Sequence, residues 1–118
     1  MTYTGDQRRA APRVPIELDV TLSRHHGNPV AARTVDLCAT GMRVASQRPL
    51  HVDELMRFEL ALDPALRVDG VARVVREHAL KVYALRVESI NEASARRLAQ
   101  FMVAALDVIP TERSQAGS

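Results

Sequence analysis

Two arginines four positions apart, Arg9 and Arg13, lie in a polar arm directly before the first strand-like stretch of the chain. A second polar cluster, Asp36 to Gly41 with the pattern D-x-C-x-x-G, stands at the end of the second strand-like stretch. Guanidinium groups bind phosphates in a bidentate manner, stack on flat rings and pair with the O6/N7 edge of guanine. A carboxylate accepts hydrogen bonds from the donors on the opposite edge. Together the two clusters indicate a site for a guanine nucleotide.

The arginine pair by itself is weak evidence. Of the 16 lysines and arginines in the chain, all except Lys81 are arginine, so pairs with this spacing also arise by chance. The alternative interpretation is a solvated basic arm in an arginine-rich protein. The position of the pair beside a strand, and its combination with the cluster that begins at Asp36, favour a ligand contact.

Length and composition limit the class of protein. The 118 residues suit one domain, and 47% apolar with 25% charged residues is usual for a soluble globular protein. A net charge of +2 does not require a long polyanion, so a small anionic ligand is sufficient and neither DNA nor RNA is expected as a partner. One cysteine excludes an internal disulfide and suits a reducing compartment, and no signal peptide or membrane-spanning apolar run is evident. We expect a cytoplasmic protein without membrane insertion.

Alternation of apolar residues predicts about six short strands that must position the two clusters. The first is expected over 14–22, where every second residue is apolar, and Gly70 within the fifth predicts a bulge or a barrel corner. The other strands are expected at 30–37, 42–46, 56–62, 68–76 and 80–87, the fifth and sixth being joined near 77–79. Six short strands at this spacing are typical of a small antiparallel barrel or sandwich.

The end of the chain changes to a helical period. Asn91 can cap a helix over 92–106, with an apolar stripe from Leu98 to Leu106 that packs on the barrel, and Pro110 is expected to end it. The predicted organisation is a flexible arm at 1–13, a barrel with its helix at 14–107 and a polar tail at 108–118.

This combination resembles the PilZ domain family, bacterial receptors for cyclic di-GMP. The resemblance rests on the arm from Arg8 to Arg13, on the turn from Asp36 to Gly41, and on six strands followed by a helix; it covers roughly residues 7–107. The family signature is an R-x-x-x-R arm and a [DN]-x-S-x-x-G turn. The resemblance implies a mainly β fold, a six-stranded antiparallel β-barrel of the split-barrel type with one C-terminal α-helix.

The resemblance also implies a role for each residue of the two clusters. Arg9 and Arg13 would clamp the phosphates and guanines of the ligand, and Asp36 would hydrogen-bond a guanine edge. Gly41 would provide a tight turn with positive φ and a close approach of the backbone. Arg8 would add a guanidinium for a second ligand molecule.

Cys38 departs from the family pattern, which has a serine there. A thiol is a weaker donor and acceptor than a hydroxyl, and one lost hydrogen bond costs about 0.5–1.5 kcal/mol. We therefore expect weaker binding rather than its loss. Cys38 as a nucleophile would need a neighbouring base, and a half-buried small residue is the simpler interpretation. With no acid–base pair, glycine-rich phosphate loop or nucleophile triad in the sequence, we predict no enzyme, no metal site and no cofactor apart from the ligand.

The leading hypothesis from the sequence is an adaptor that binds cyclic di-GMP. Ordering of the arm over the ligand would change the surface offered to an unidentified downstream protein, and the receptor would be a monomer or a ligand-linked homodimer. The alternative is a degenerate PilZ-like module that acts through protein contacts without nucleotide. A third interpretation, an RNA- or single-stranded-DNA-binding barrel, has few stacking platforms, since the chain has two Phe, two Tyr and no Trp.

Overall fold

The computed structural model describes residues 13–25 and 27–117, with side chains to residue 105. Six antiparallel strands close into a barrel in the order β1-β2-β3-β6-β5-β4, and one helix follows them. The elements are β1 (Asp19–Ser23), β2 (Val30–Cys38), β3 (Gly41–Ser46), β4 (Leu55–Asp63), β5 (Leu66–Ala79), β6 (Val82–Ile90) and α1 (Glu92–Gly117). This architecture confirms the fold predicted from the sequence.

The barrel core is built by the alternation that predicted the strands. Along β4, Met56, Phe58, Leu60 and Leu62 are buried and most of the residues between them are exposed. Since side chains of a strand point alternately to its two faces, every second residue points into the barrel, and these residues are apolar. Burial of each such side chain stabilises the fold by about 1.5–3 kcal/mol, so this pattern is the main reason that the chain closes into a barrel.

The first strand is shorter than predicted. Only Asp19–Ser23 pairs as a regular strand, while Val14 forms an isolated bridge with Leu37. Between them the hydroxyl of Thr34 replaces part of the ladder: it accepts from the Leu18 N–H at 2.8 Å and donates to the Ile16 carbonyl at 2.6 Å. Apolar alternation predicts which residues enter the core, but a side chain can take over backbone hydrogen bonds in a way that periodicity does not show.

The β5–β6 hairpin turns later than predicted. Ala79 pairs with Val82, so the turn is Leu80 and Lys81 rather than 77–79, and Lys81 adopts a φ of 60°. A positive φ at the second of the two turn residues is the feature of a type II turn, a conformation that glycine or asparagine adopts most readily. The sequence has no glycine or asparagine at this turn to indicate it.

Gly70 lies at a close approach between strands, as expected for a glycine inside a strand. A Cβ atom at this position would lie 2.4 Å from the Ser89 carbonyl oxygen and 3.0 Å from the ring of Phe58. The register of β5 and β6 shifts immediately after it, between Val71 and Ala72. The predicted irregularity is therefore present.

Helix α1 begins as predicted and packs on β5. The Asn91 side-chain oxygen accepts from the Ser94 N–H at 2.8 Å, a helix N-cap, and Leu98 and Met102 are buried against the barrel. The helix does not end before Pro110 as expected but continues to Gly117. Proline removes one helical hydrogen bond and bends a helix, and it does not always end it. Among the residues described, no helix is both long enough and apolar enough to cross a membrane.

Candidate functional site

The β2–β3 hairpin carries the D-x-C-x-x-G cluster on a two-residue turn. Strand β2 ends at Cys38, strand β3 begins at Gly41, and these two residues pair with each other. The register shifts between Thr34 and Asp36, so Asp36 pairs with Arg43 and the next residue, Leu37, enters the core. Strict alternation would have placed Asp36 on the inner face with Thr34. The bulge instead turns the carboxylate to the same side as Arg43, on the outside of the barrel.

Asp36 is held by two arginines although it lies almost out of solvent contact. Its side chain is 8% exposed. Arg43 donates to Oδ2 from Nε at 2.7 Å and also from Nη2, and this hydrogen bonding raises the pKa of Arg43 above its ordinary value. Nη1 of Arg13 lies 3.9 Å from the same oxygen. The carboxylate is therefore neutralised from both sides, as a buried charge must be.

Arg13 is placed next to Asp36 by the backbone. Val14 and Leu37 exchange two hydrogen bonds of 2.8 and 2.9 Å in an antiparallel bridge. This bridge sets Arg13 opposite Cys38, and the long Arg13 side chain extends diagonally to Asp36 on the same face. The Arg13 side chain is 60% exposed, so it remains accessible to a ligand. Arg8 and Arg9, the other predicted arm residues, lie outside the described part of the chain.

A surface depression of about 190 Å³ joins the predicted residues that the structure describes. Its lining includes Arg13, Asp36, Cys38 and Gly41, and also Arg43, Ala84 and Arg86. Ligand pockets usually measure about 300–1,000 Å³, so this depression would hold part of a nucleotide and leave the rest on the surface. Three guanidinium groups against one carboxylate make it a suitable place for an anion.

A larger depression of about 670 Å³ lies elsewhere, beside β1 and β2. Its charged groups are Glu17 and Asp19, which pair with Arg33 at 3.7 and 3.6 Å. Two carboxylates against one guanidinium suit an anionic ligand poorly. By volume this surface would be the better candidate for a ligand site. By charge the smaller depression near Asp36 is the better candidate for an anionic ligand.

Gly41 has a different role from the predicted one. The only described glycine with positive φ is Gly27, so the expected left-handed turn at Gly41 was wrong; Ala39 and Thr40 form the turn, and Gly41 already belongs to β3. A close backbone approach is present, since a Cβ atom on Gly41 would lie 2.3 Å from the Leu85 carbonyl oxygen. Glycine is thus required for the pairing of β3 with β6 directly beneath the site.

Cys38 is half-buried at the rim of the depression, as the simpler interpretation of this residue predicted. Its Sγ atom lies 3.5 Å from the hydroxyl oxygen of Thr40. The contact spans the hairpin turn, and Cys38 also lines the depression.

A family model, that of the PilZ domain, matches residues 7–104. The chain belongs to the PilZ domain family. PilZ domains are regulatory binding modules and not enzymes, and the family is one of cyclic di-GMP receptors. A comparison with curated proteins found no match.

Solved structures with the same fold include three PilZ-related proteins. The PilZ domain of YcgR from Escherichia coli, determined with cyclic di-GMP, has a TM-score of 0.70 and 15% identity over 92% of this chain and 98% of that one. The motility inhibitor MotI/DgrA of Bacillus subtilis has a TM-score of 0.68 and 19% identity over 83% of this chain and 50% of that one. This chain therefore spans half the length of MotI/DgrA. The PilZ domain of CeSA from a cellulose-synthesizing bacterium has a TM-score of 0.63 and 18% identity over 81% of this chain and 98% of that one. At such identities the similarity concerns the fold.

Sequence reasoning did not identify Arg43, the nearest partner of Asp36 in this PilZ domain. A signal was present, because Met42 and Val44 are apolar and alternation therefore turns Arg43 outward. What the sequence lacked was the bulge that turns Asp36 to the same side. Arg86 was also missed; it donates to Glu88 at 2.9 Å, and this bond lowers the pKa of that carboxyl.

His78 is a further residue of the PilZ domain, and the charged groups of the site affect its pKa. Partial desolvation and then the positive charges of Arg76, Arg43 and Arg13 lower its pKa below the ordinary value, while Asp36 acts weakly in the opposite direction. His78 lies at a register shift of β5, between Glu77 and Ala79. Its exposed side chain is therefore within electrostatic reach of the two arginines beside the depression.

Proposed function

We propose that this PilZ domain binds cyclic di-GMP and passes the signal to a partner protein through its N-terminal arm. The observation that carries the proposal is the meeting of Arg13 and Asp36, whose charged atoms lie 3.9 Å apart although 23 positions separate the residues (36 − 13). The bridge of Val14 to Leu37 brings them together. A cation for phosphate and an acceptor for a guanine edge then share one depression.

The chemistry of each group suits one part of the ligand. The exposed guanidinium of Arg13 can turn to a phosphate or stack on a base, and Arg9 and Arg8 would add further guanidinium groups from the arm. Asp36 would accept from the N1–H and N2–H donors of guanine. Gly41 keeps the floor of the site flat, because any side chain there would collide with β6. The Cys38 thiol would replace the family serine as a weak partner.

The output would be a change of surface and not a reaction. Ligand contacts that hold residues 8–13 against the barrel would favour one arrangement of the arm, and a partner that recognises this arrangement would bind more tightly. The receptor would act in the cytoplasm, where a thiol such as Cys38 stays reduced. A catalytic role is not part of the proposal, and no cofactor other than the ligand is needed.

Isothermal titration calorimetry with cyclic di-GMP tests the binding step. We expect heat of binding at tens of micromolar protein and ligand, and a loss of tenfold or more in affinity, about 1.4 kcal/mol, for Arg9→Ala and for Arg13→Ala. Arg33→Ala is the matched control, because Arg33 is an exposed arginine paired with Glu17 and Asp19 away from the site. Absence of heat from the wild-type protein would end the proposal.

The second candidate is a PilZ module that works by protein contacts without nucleotide. Cys38 is the observation that favours it, because the thiol at the rim of the depression is a poorer hydrogen-bonding group than the hydroxyl of the family pattern. A pull-down whose partners are unaffected by cyclic di-GMP and by Arg9→Ala or Arg13→Ala would support this candidate over the first.

A further inference from the structure

Asp36 needs a cationic partner whether or not ligand is bound. Its side chain is only 8% exposed, and a buried carboxylate that loses its partner strongly destabilises the fold around it. Among the residues that the structure describes, Arg43 and Arg13 both approach the same atom, Oδ2. One of the two must stay with Asp36 when an anion arrives.

The two arginines differ in how firmly they are held. Arg43 is in the middle of β3, paired with Asp36 on one side and with Ala84 of β6 on the other. Its side chain is 34% exposed and makes the short contacts to Oδ2. Arg13 comes before the first strand, is 60% exposed and lies at 3.9 Å, beyond hydrogen-bonding distance. Arg13 can leave Asp36 at little cost, whereas Arg43 cannot.

We infer that Arg43 is a positioning residue of the site, which holds and orients the Asp36 carboxylate while Arg13 turns to the phosphates of the ligand. The inference rests on the proposed function. Before binding, Arg43 and Arg13 share Asp36; after binding, Arg43 holds Oδ2 alone and Oδ1 accepts from the guanine edge. Arg43 also cancels the negative charge that would otherwise repel the phosphates.

This role differs from direct ligand contact, and the difference is measurable. If Arg43 acts through Asp36, its removal matters only while the carboxylate is there to be held. If it binds phosphate itself, its removal matters equally when Asp36 is an amide. A double-mutant cycle separates the two possibilities.

The experiment is a calorimetric titration with cyclic di-GMP, and a ¹H–¹⁵N NMR spectrum of each variant verifies that it is folded. Arg43→Met keeps the apolar stem and removes the charge, and we expect a tenfold or greater loss of affinity. Arg43→Lys restores a cation within reach of Oδ2 and should recover most of that loss. In an Asp36→Asn background, adding Arg43→Met should change affinity by less than about threefold.

Arg67→Met is the matched control. It changes net charge by the same amount, and among the described side chains it breaks only the exposed pair with Glu59 at 3.7 Å. Arg67 lies near the opposite end of β5 from the strand residues that line the depression, and we expect its affinity to stay within about twofold of wild type. Any loss at Arg43 beyond this value cannot be attributed to net charge.

The outcomes are distinct. Equal affinities of wild type and Arg43→Met overturn the inference alone, and so does a full tenfold loss that persists in the Asp36→Asn background. No binding by the wild-type protein overturns the proposed function together with the inference. If Arg43→Met is unfolded, Arg43→Gln against Arg43→Lys carries the same comparison, and equal affinities of these two variants count against the positioning role.

Discussion

At the scale of single residues, the site depends on one carboxylate and on the groups that compensate its charge. Asp36 is buried, yet it faces a depression rather than the core, and guanidinium groups lie on both sides of it. Such a group is costly to keep charged in isolation. A well-packed apolar pair is usually at least as stabilising, and in the proposed function the carboxylate beside exposed Arg13 recognises the ligand.

Cys38 provides the first residue-scale prediction. Replacement by serine exchanges a weak partner for a hydroxyl of similar size at the rim of the depression, so Cys38→Ser should leave affinity for cyclic di-GMP unchanged or raise it by up to about tenfold, one hydrogen bond being about 0.5–1.5 kcal/mol. Calorimetric titration of the two proteins measures the difference. Cys38→Ala serves as the control, and tighter binding by Cys38→Ala than by wild type would contradict a contact from this position.

At the scale of elements, the segment before β1 is what brings Arg13 to the hairpin. This segment is attached by the Val14–Leu37 bridge and by the Thr34 hydroxyl, which bonds Ile16 and Leu18. Thr34 is itself buried on β2. The strand that carries Asp36 thus also anchors the segment that carries Arg13, and the geometry of the site depends on this attachment.

Thr34→Val tests the attachment. Valine keeps the shape but leaves the Leu18 N–H and the Ile16 carbonyl without the hydroxyl, so we expect a loss of about 1–3 kcal/mol in the free energy of unfolding, measured in urea. Amide exchange at Leu18 should accelerate, and affinity for the ligand should fall with it. Thr34→Ser keeps both hydrogen bonds and should leave the exchange rate near that of wild type. Slow exchange at Leu18 in the valine variant would show that the hydroxyl is not the anchor.

At the scale of the whole molecule, closure of the barrel assembles the site from distant parts of the chain. The depression takes residues from the segment before β1, from the β2–β3 hairpin and from β5 and β6. Pairing of β3 with β6 is essential to this, since it places Ala84 beside Arg43. The electric field at one point of the surface therefore depends on the complete fold.

His78 provides the prediction at this scale, because the groups that shift its pKa belong to different parts of the fold. In the free protein its pKa is lowered by partial desolvation, Arg76, Arg43 and Arg13. Phosphates bound at the depression would offset those positive charges, so the pKa of His78 rises on binding and the complex takes up protons. Affinity for cyclic di-GMP should therefore increase as pH falls from about 8 to about 6.

Calorimetry at several pH values checks this effect. His78→Gln should remove the increase at low pH, while His25→Gln, in the β1–β2 connection, should keep it. Without ligand the sign is opposite: the unfolded chain binds more protons than the folded one between the lowered pKa and the ordinary one, so stability rises with pH across that window. An increase of affinity with pH, or a dependence that survives His78→Gln, would contradict the prediction.

The local periodicity of apolar residues was sufficient to predict much of the fold. Alternation of apolar residues determined the number and approximate position of the strands, and the stripe beginning at Leu98 together with the cap at Asn91 determined where the helix starts. These signals are readable because they express which residues must be buried. The two polar clusters likewise indicated that Asp36 and Arg13 lie together, because their groups suit a guanine nucleotide and their two motifs resemble the PilZ signature; the two side chains lie 3.9 Å apart.

Only the tertiary structure decided the arrangement of the site. The bulge that turns Asp36 outward, the pairing of β3 with β6, and Arg43 as the nearest partner of the carboxylate all depend on hydrogen bonds between residues far apart in the chain or on the register of strands. A shift of one residue reverses the face to which a side chain points, and the local sequence contains no record of that choice. The sequence by itself determined the chemical groups available to the site; the packing of the closed barrel determined which of them meet.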